Sequence, residues 1–202
     1  MATEIELKLS LAPDAIPTLL ALSCFAGQVI QEQRLDNTYY DTPELLLSQR
    51  KMALRLRQKG NETWLTVKTA GKSEAGLATR HEWECLATPG IFDFAHIEQA
   101  ELRTMLTALI PQLTTIFRTD FLRRRVVLQQ GQSQIEVAID QGTVSSQGRE
   151  QALCELELEL LSGDIGDLKA LATQLQTHLP GVLHPSDISK AQRGYALFAQ
   201  GK

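Results

Sequence analysis

The chain has 202 residues, 43% of them hydrophobic, and a formal net charge of −4. That is enough apolar side chain for one sizeable core, and too acidic a balance for a general nucleic-acid binder. Cys24, Cys85 and Cys154 form no CxxC pair or disulfide framework; with no basic-then-apolar leader and no apolar run near the ~18–20 residues that span a bilayer, they point to a soluble protein of the reducing cytoplasm, with no membrane partner.

Residues 3–11 read as a strand, and Pro13-Asp14 opens a helix whose Ile16, Leu19, Leu20 and Leu22 share one face. A strand over 29–41 stops at Thr42-Pro43, and Pro43-Glu44 begins a short helical turn. Strands at 52–59 and 62–69 form a hairpin around Gly60-Asn61. Residues 70–76, with two glycines, read as a flexible loop, 77–86 as a strand, and 91–109 as a helix ended by Pro111. A long strand over 115–128 turns at Gln129-Gln130-Gly131 into 134–140. A polar stretch over 145–151 leads into a second carboxylate-rich strand, Glu155-Leu156-Glu157-Leu158-Glu159-Leu160. Helices at 163–179 and 188–198 finish the chain, the last with Ser186 or Asp187 as N-cap. About eight strands, mostly antiparallel, suit an α+β fold built on a closed or nearly closed β-barrel with flanking helices.

Successive side chains of a strand point to opposite faces, so parity sorts the charges. Glu4, Glu6 and Lys8 share a face; so do Arg55 and Arg57; Trp64, Thr66 and Lys68; Arg80, Glu82 and Glu84; Phe121, Arg123 and Arg125; Glu136 and Asp140; and Glu155, Glu157 and Glu159. Arg118 and Arg124 take the other parity of their strand, and Cys85 and Cys154 fall on aliphatic faces. A half-buried sheet with a solvated face is the common cause of such alternation. Here charge is nearly continuous, carboxylates sit on the first and last strands, and bases lie mostly between them. That pattern favours a barrel with its polar face inward and helices over its aliphatic side. Buried ions must be paired or coordinated. A polyanion with Mg²⁺ satisfies both sets, carboxylates holding the hard cation and guanidinium or ammonium groups holding phosphate oxygens.

The ordered motifs Glu4-x-Glu6-x-Lys8, Tyr39-Tyr40-Asp41-Thr42-Pro43, Leu54-Arg55-Leu56-Arg57, Lys68, Arg80-x-Glu82, Glu155-x-Glu157-x-Glu159 and Ser189-Lys190 resemble the CYTH, or triphosphate tunnel metalloenzyme, superfamily. The branch most similar is the bacterial inorganic triphosphatases. The resemblance covers essentially residues 1–202 as one tunnel domain; relatives of this branch often carry a downstream helical CHAD domain, which this chain does not contain. It implies an eight-stranded antiparallel tunnel that hydrolyses tripolyphosphate to pyrophosphate and phosphate with Mg²⁺ or Mn²⁺. Metal would be held by Glu4 and Glu6 with Glu155, Glu157 or Glu159. Phosphate oxygens would be held by Arg55, Arg57, Lys68, Arg123, Arg125 and Lys190. Lys8 would place a water or a terminal phosphate oxygen, Glu157 and Glu159 would act in catalysis, and Arg80, Glu82 and Asp140 would orient the charged groups. Thiamine triphosphatase, class IV adenylyl cyclase and a non-catalytic polyphosphate-binding module are the alternatives on the same scaffold. Other signals carry less. Ala70-Gly71-Lys72-Ser73 ends like a phosphate-binding loop, but Thr66 stands where that pattern needs glycine. The four histidines show no metal-ligand spacing. Tyr39 and Tyr40 fit a structural or a substrate-facing role equally.

Overall fold

The alternating strands close on themselves. The computed structural model describes residues 2–201. In chain order it has β1 (Ala2–Ser10), α1 (Ile16–Leu20), β2 (Gln31–Asp41), α2 (Leu46–Gln49), β3 (Ala53–Lys59), β4 (Glu62–Lys68), β5 (Lys72–Glu74) and β6 (Leu77–Ala87). There follow α3 (Ala100–Leu109), β7 (Thr114–Gln130), β8 (Ser133–Ser146), β9 (Arg149–Ser162), α4 (Ile165–His178), β10 (His184–Pro185) and α5 (Lys190–Ala199). Antiparallel pairing runs β1-β9-β8-β7-β2-β3-β4-β6 and returns from β6 to β1. This is the eight-stranded barrel expected, and the short β5 and β10 extend it beside β6 and β1.

The aliphatic parity of the strands faces outward and is covered. Leu7 and Leu9 of β1, Ile135, Val137 and Ile139 of β8 and Leu156 and Leu158 of β9 pack with Ile16 and Leu19 of α1 and Leu168, Leu171 and Leu175 of α4. On the other side Leu54, Leu56, Leu65, Val67 and Trp83 pack with Phe94, Ile97 and Leu106. The third core lies inside the barrel. Leu35, Tyr39, Phe117, Phe121, Val144 and Leu153 are on the inward parity, and Leu197 of α5 packs among them. The helix therefore plugs one end of the barrel, where the sequence suggested only helices laid on the outside. It is attracted there because the inward faces turn apolar at that end. Gly194 lets it seat: a Cβ there would lie 2.1 Å from the Phe117 ring.

Element boundaries depart from the sequence reading in four places. Only 100–109 of the expected 91–109 helix forms. Before it, Asp93 accepts from the Ala95 N–H and Trp83 donates to Glu98, so Phe94 and Ile97 reach the core from a loop. The polar stretch 145–151 is mostly strand, narrowed to a two-residue turn at Gln147 (φ 49°) and Gly148 (φ 76°), a pair of positive φ values that suits a hairpin turn. The supposed loop 70–76 contains β5. The N-cap of α5 is Ser189, in a capping box with Gln192; Ser186 and Asp187 are used elsewhere. No described helix is long and apolar enough to cross a membrane.

Candidate active site

Barrel register turns separate parity rows into one charged interior. Glu6 stands opposite Glu159 and Lys8 opposite Glu157 across β1 and β9. Glu136 opposes Glu159, and Asp140 opposes Glu155, across β8 and β9. Arg123 opposes Asp140; Arg55 opposes Thr66; Lys68 opposes Glu82; Glu4 opposes Arg80. The resulting cavity of about 680 Å³ is faced by nine lysine or arginine side chains and seven glutamates. Arg118 is exposed and Arg124 pairs outside with Glu32 at 2.8 Å, as parity required.

Two networks hold most of these charges. Near the plugged end, Lys190 Nζ lies 2.5 Å from Glu155, 2.7 Å from Asp140 and 2.8 Å from Glu157. Arg123 donates to both oxygens of Asp140 at 2.7 Å and to Glu157 at 2.6 Å. Burial works against the Glu157 and Asp140 carboxylates, yet Lys190 and Arg123 hold both below their ordinary ranges. Glu155 is fully buried, and burial with the nearby Glu157 pushes its carboxyl up. The oxygens of Asp140, Glu155 and Glu157 converge within 4.8 Å, a spacing that could hold a metal. The Lys190 ammonium occupies that point of convergence, so the triad is already neutralised from within. Asp140 and Glu155 do not line the open cavity.

The second network surrounds β1. Lys68 donates to Glu4 at 2.8 and 3.0 Å and lies 2.7 Å from Glu82. Arg80 bridges Glu4 (2.6 Å) and Glu6 (2.9 Å). Despite burial, Lys68 and Arg80 hold the Glu4 carboxylate well below the usual range. The Lys8 ammonium, on a residue only 5% exposed, makes no hydrogen bond among the described residues: its nearest acids are Glu6 at 3.6 Å and Glu157 at 3.7 Å. Arg55 donates to Thr66, which donates to Glu84. Arg125, half-exposed, reaches Glu136 at 3.2 Å.

Two buried or half-buried charges are left over. Arg57 is buried, donates through Nε to Asn37 Oδ1 at 2.6 Å, and makes no ion pair among the described residues. Burial and the neighbouring Arg55 and Arg123 lower its guanidinium to about 9. Glu159 has neither hydrogen bond nor ion pair among the described residues, and burial with Glu4, Glu136 and Glu82 nearby pushes its carboxyl up to about 7. The interior thus has a cation lacking an anion and an anion lacking a cation.

Glu84, Glu136, Lys59 and Asn37 also belong to this interior. The first two were visible by parity; Asn37 is uncharged, and only barrel register shows that it carries Arg57. Tyr39 faces the cavity too, stacked on Phe117 at 4.3 Å. Burial raises its phenol, but Arg55, Arg57 and Lys190 more than offset this and bring it below the ordinary value.

Comparison with known proteins agrees with this architecture. The CYTH domain model matches residues 2–195. An inorganic triphosphatase of Haemophilus influenzae is 37% identical over 210 residues, covering 98% of this chain and 55% of that protein; the chain thus spans about half the length of that relative. Among solved structures, a Hippeastrum protein described as revealing a dominant triphosphatase activity superposes with a TM-score of 0.64 at 19% identity, covering 98% of this chain and 96% of that one. A Pyrococcus horikoshii protein does so with a TM-score of 0.60 at 18% identity, covering 98% and 99%. At those identities the likeness is one of fold.

Proposed function

The chain belongs to the CYTH domain family, and from that premise we propose that its tunnel hydrolyses inorganic triphosphate to pyrophosphate and phosphate with the help of a divalent cation, Mg²⁺ or Mn²⁺. The observation that carries the reading is the pair of leftover charges. A triphosphate lying along the tunnel supplies the anion that Arg57 lacks, and an accompanying hard cation supplies the charge that Glu159 lacks. The donor chemistry suits such a cation, since Glu4, Glu6 and Glu159 offer only carboxylate oxygens; Lys68 and Arg80 now hold Glu4 and Arg80 holds Glu6, so those ion pairs would open to receive it. When bound, the cation would neutralise phosphate charge that grows in the transition state.

The chain's own residues do the rest, since phosphoryl transfer depends mostly on positioning and charge. Arg55, Arg57, Arg123, Arg125 and Lys68 bind phosphate oxygens, the arginines with two-pronged hydrogen bonds. Lys190 serves chiefly to neutralise Asp140, Glu155 and Glu157 and so fix Arg123. Both oxygens of Glu157 are committed to charged partners, which makes it an anchor for Lys8 and Arg123 more than a proton acceptor. The Lys8 ammonium, with no hydrogen bond among the described residues, is placed to orient a terminal phosphate oxygen or the attacking water. Without the cation, burial and the carboxylates of Glu4, Glu136 and Glu82 push Glu159 up to about 7; with the cation bound it would be held as a carboxylate. Arg80 and Glu82 hold Glu4, Glu6 and Lys68 in place.

The test is phosphate release from tripolyphosphate, ATP, thiamine triphosphate and pyrophosphate with Mg²⁺ and with Mn²⁺, with cyclic AMP measured in the ATP reactions. Tripolyphosphate should be cleaved fastest, and only with metal. Glu6→Gln and Glu157→Gln should each slow release by about 100-fold or more, the scale of one lost charge-stabilising contact; wild-type rates in both would sink the assignment.

A further inference from the structure

A second cavity of about 750 Å³ lies at the plugged end of the barrel. It adjoins the tunnel, and the two share Glu6, Lys8, Lys68 and Arg80 together with Ala53, Ser189 and Ala191, so these side chains stand where one space meets the other. Five lysine or arginine side chains face it against three carboxylates, Glu6, Glu74 and Asp187. Glu6 is tied to Arg80, and one oxygen of Asp187 accepts from Ser73 Oγ at 2.7 Å and from the Gly76 N–H at 3.0 Å. The two lysines on the outer wall, Lys51 and Lys72, make no ion pair among the described residues. The Lys8 ammonium, nearly buried and with no hydrogen bond among the described residues, faces the same space from the inside.

The rim of this cavity is built and held. The Lys8 N–H donates to Gly76 O at 2.9 Å, and the Ser186 N–H donates to Lys8 O at 3.0 Å. Gly76 has φ +84°, and a Cβ on it would lie 2.6 Å from Lys8 O. The β5–β6 turn and the segment before α5 are thus pinned to each other by Asp187 and to β1 at Lys8. The Ser189 hydroxyl is spent capping α5, so the helix end is not what makes the site.

We propose that this cavity is a second anion subsite, taking inorganic phosphate or pyrophosphate, and that it is the port by which one product leaves. Substrate enters from the end of the barrel that α5 does not fill, past the half-exposed Arg125, and in-line cleavage separates the two products along the tunnel axis. The product on the Lys8 side meets a partition of cations and then Lys51 and Lys72 beyond it, so it departs without passing back through the tunnel. The exit role rests on the triphosphate-hydrolysis reading; the anion subsite does not.

The test uses imidodiphosphate, which resembles pyrophosphate but resists hydrolysis. Calorimetry on the full chain should find two bound per chain. Lys51→Glu with Lys72→Glu should weaken the second by about tenfold or more, the worth of reversing two partly exposed contacts, and Arg57→Gln should weaken the first. One site in the wild type, or two unaltered sites in the double variant, overturns the subsite. With tripolyphosphate, the double variant should keep its single-turnover rate within about twofold while steady-state turnover falls roughly fivefold and a burst appears, because departing anions are repelled. Parallel changes in both rates, or none, overturn the exit role. If the double variant folds poorly, Lys51→Gln with Lys72→Gln should show the same trends at smaller size. A wild-type protein that does not cleave tripolyphosphate would refute the hydrolysis reading, and the binding stoichiometry would still decide the subsite.

Discussion

At the scale of single residues, the interior divides into charges the protein satisfies itself and charges it leaves for a ligand. Lys190 belongs to the first kind. Lys190→Met would leave Asp140, Glu155 and Glu157 to Arg123 and to the longer contacts of Lys8 with Glu157 and Arg193 with Glu155, and breaking a buried ion group of this kind costs about 3–5 kcal/mol; denaturant unfolding at pH 7 should show that loss. Arg57 belongs to the second kind. Arg57→Gln should lower kcat/KM for tripolyphosphate by about 10- to 100-fold, the worth of a charged hydrogen bond, yet leave the ligand-free protein as stable or more so, because no acid loses a partner. Glu159 gives a pH signature. Its carboxyl titrates near 7 in the fold and near 4.5 when unfolded, so between those values the unfolded chain releases a proton that the folded chain keeps. Stability therefore falls as pH rises through that window, and the penalty is complete above about pH 7. In chelator, Glu159→Gln should stabilise the protein by about 1–3 kcal/mol at pH 8 and by nothing measurable at pH 4. Equal effects at both pH values would contradict the crowding of Glu159 by Glu4, Glu136 and Glu82.

At the scale of elements, α5 is the piece that fills one end of the barrel and walls the second cavity beside it. It is set by Ser189 and Gln192 at its start, by Gly194 against Phe117 in its middle, and by the Tyr195 hydroxyl, which donates to the buried Asp41 at 3.0 Å. Asp41 also accepts from the N–H groups of Thr42, Leu47 and Ser48, which is how the aspartate of the Tyr-Tyr-Asp-Thr-Pro motif serves the site without lining it. Gly194→Val should force the helix off Phe117 at a cost of about 1–3 kcal/mol and should also depress phosphate release, since Lys190 rides on the same helix. A stability loss with undiminished turnover would show that α5 does not set the site.

At the scale of the whole molecule, Arg57 and Glu159 both find a partner only when polyanion and cation are present together. Tripolyphosphate with Mg²⁺ should therefore raise Tm more than the sum of either alone, by the linkage of binding to folding; with the Glu159→Gln variant the excess should shrink. Much of this molecule was legible in the chain. Strand period 2 is a local property, so Glu4, Glu6, Lys8, Arg55, Arg57, Lys68, Arg80, Arg123, Glu157 and Glu159 could be sorted to one face from residue spacing alone. The aliphatic face, the count of barrel strands and the inward sense of the charges followed, because a continuous charged row needs an internal partner. What parity cannot supply is the pairing between rows, which depends on the register of strands far apart in sequence and on barrel closure. Closure is what covers the Asp140–Glu155–Glu157 triad with Lys190, leaves Arg57 and Glu159 unmatched, and opens a second cavity behind Lys8. The helix boundary at Ala100 and the inward placement of α5 were likewise tertiary decisions, made by Trp83 and Phe117, whose apolar surfaces had to be buried by whatever chain lay nearest.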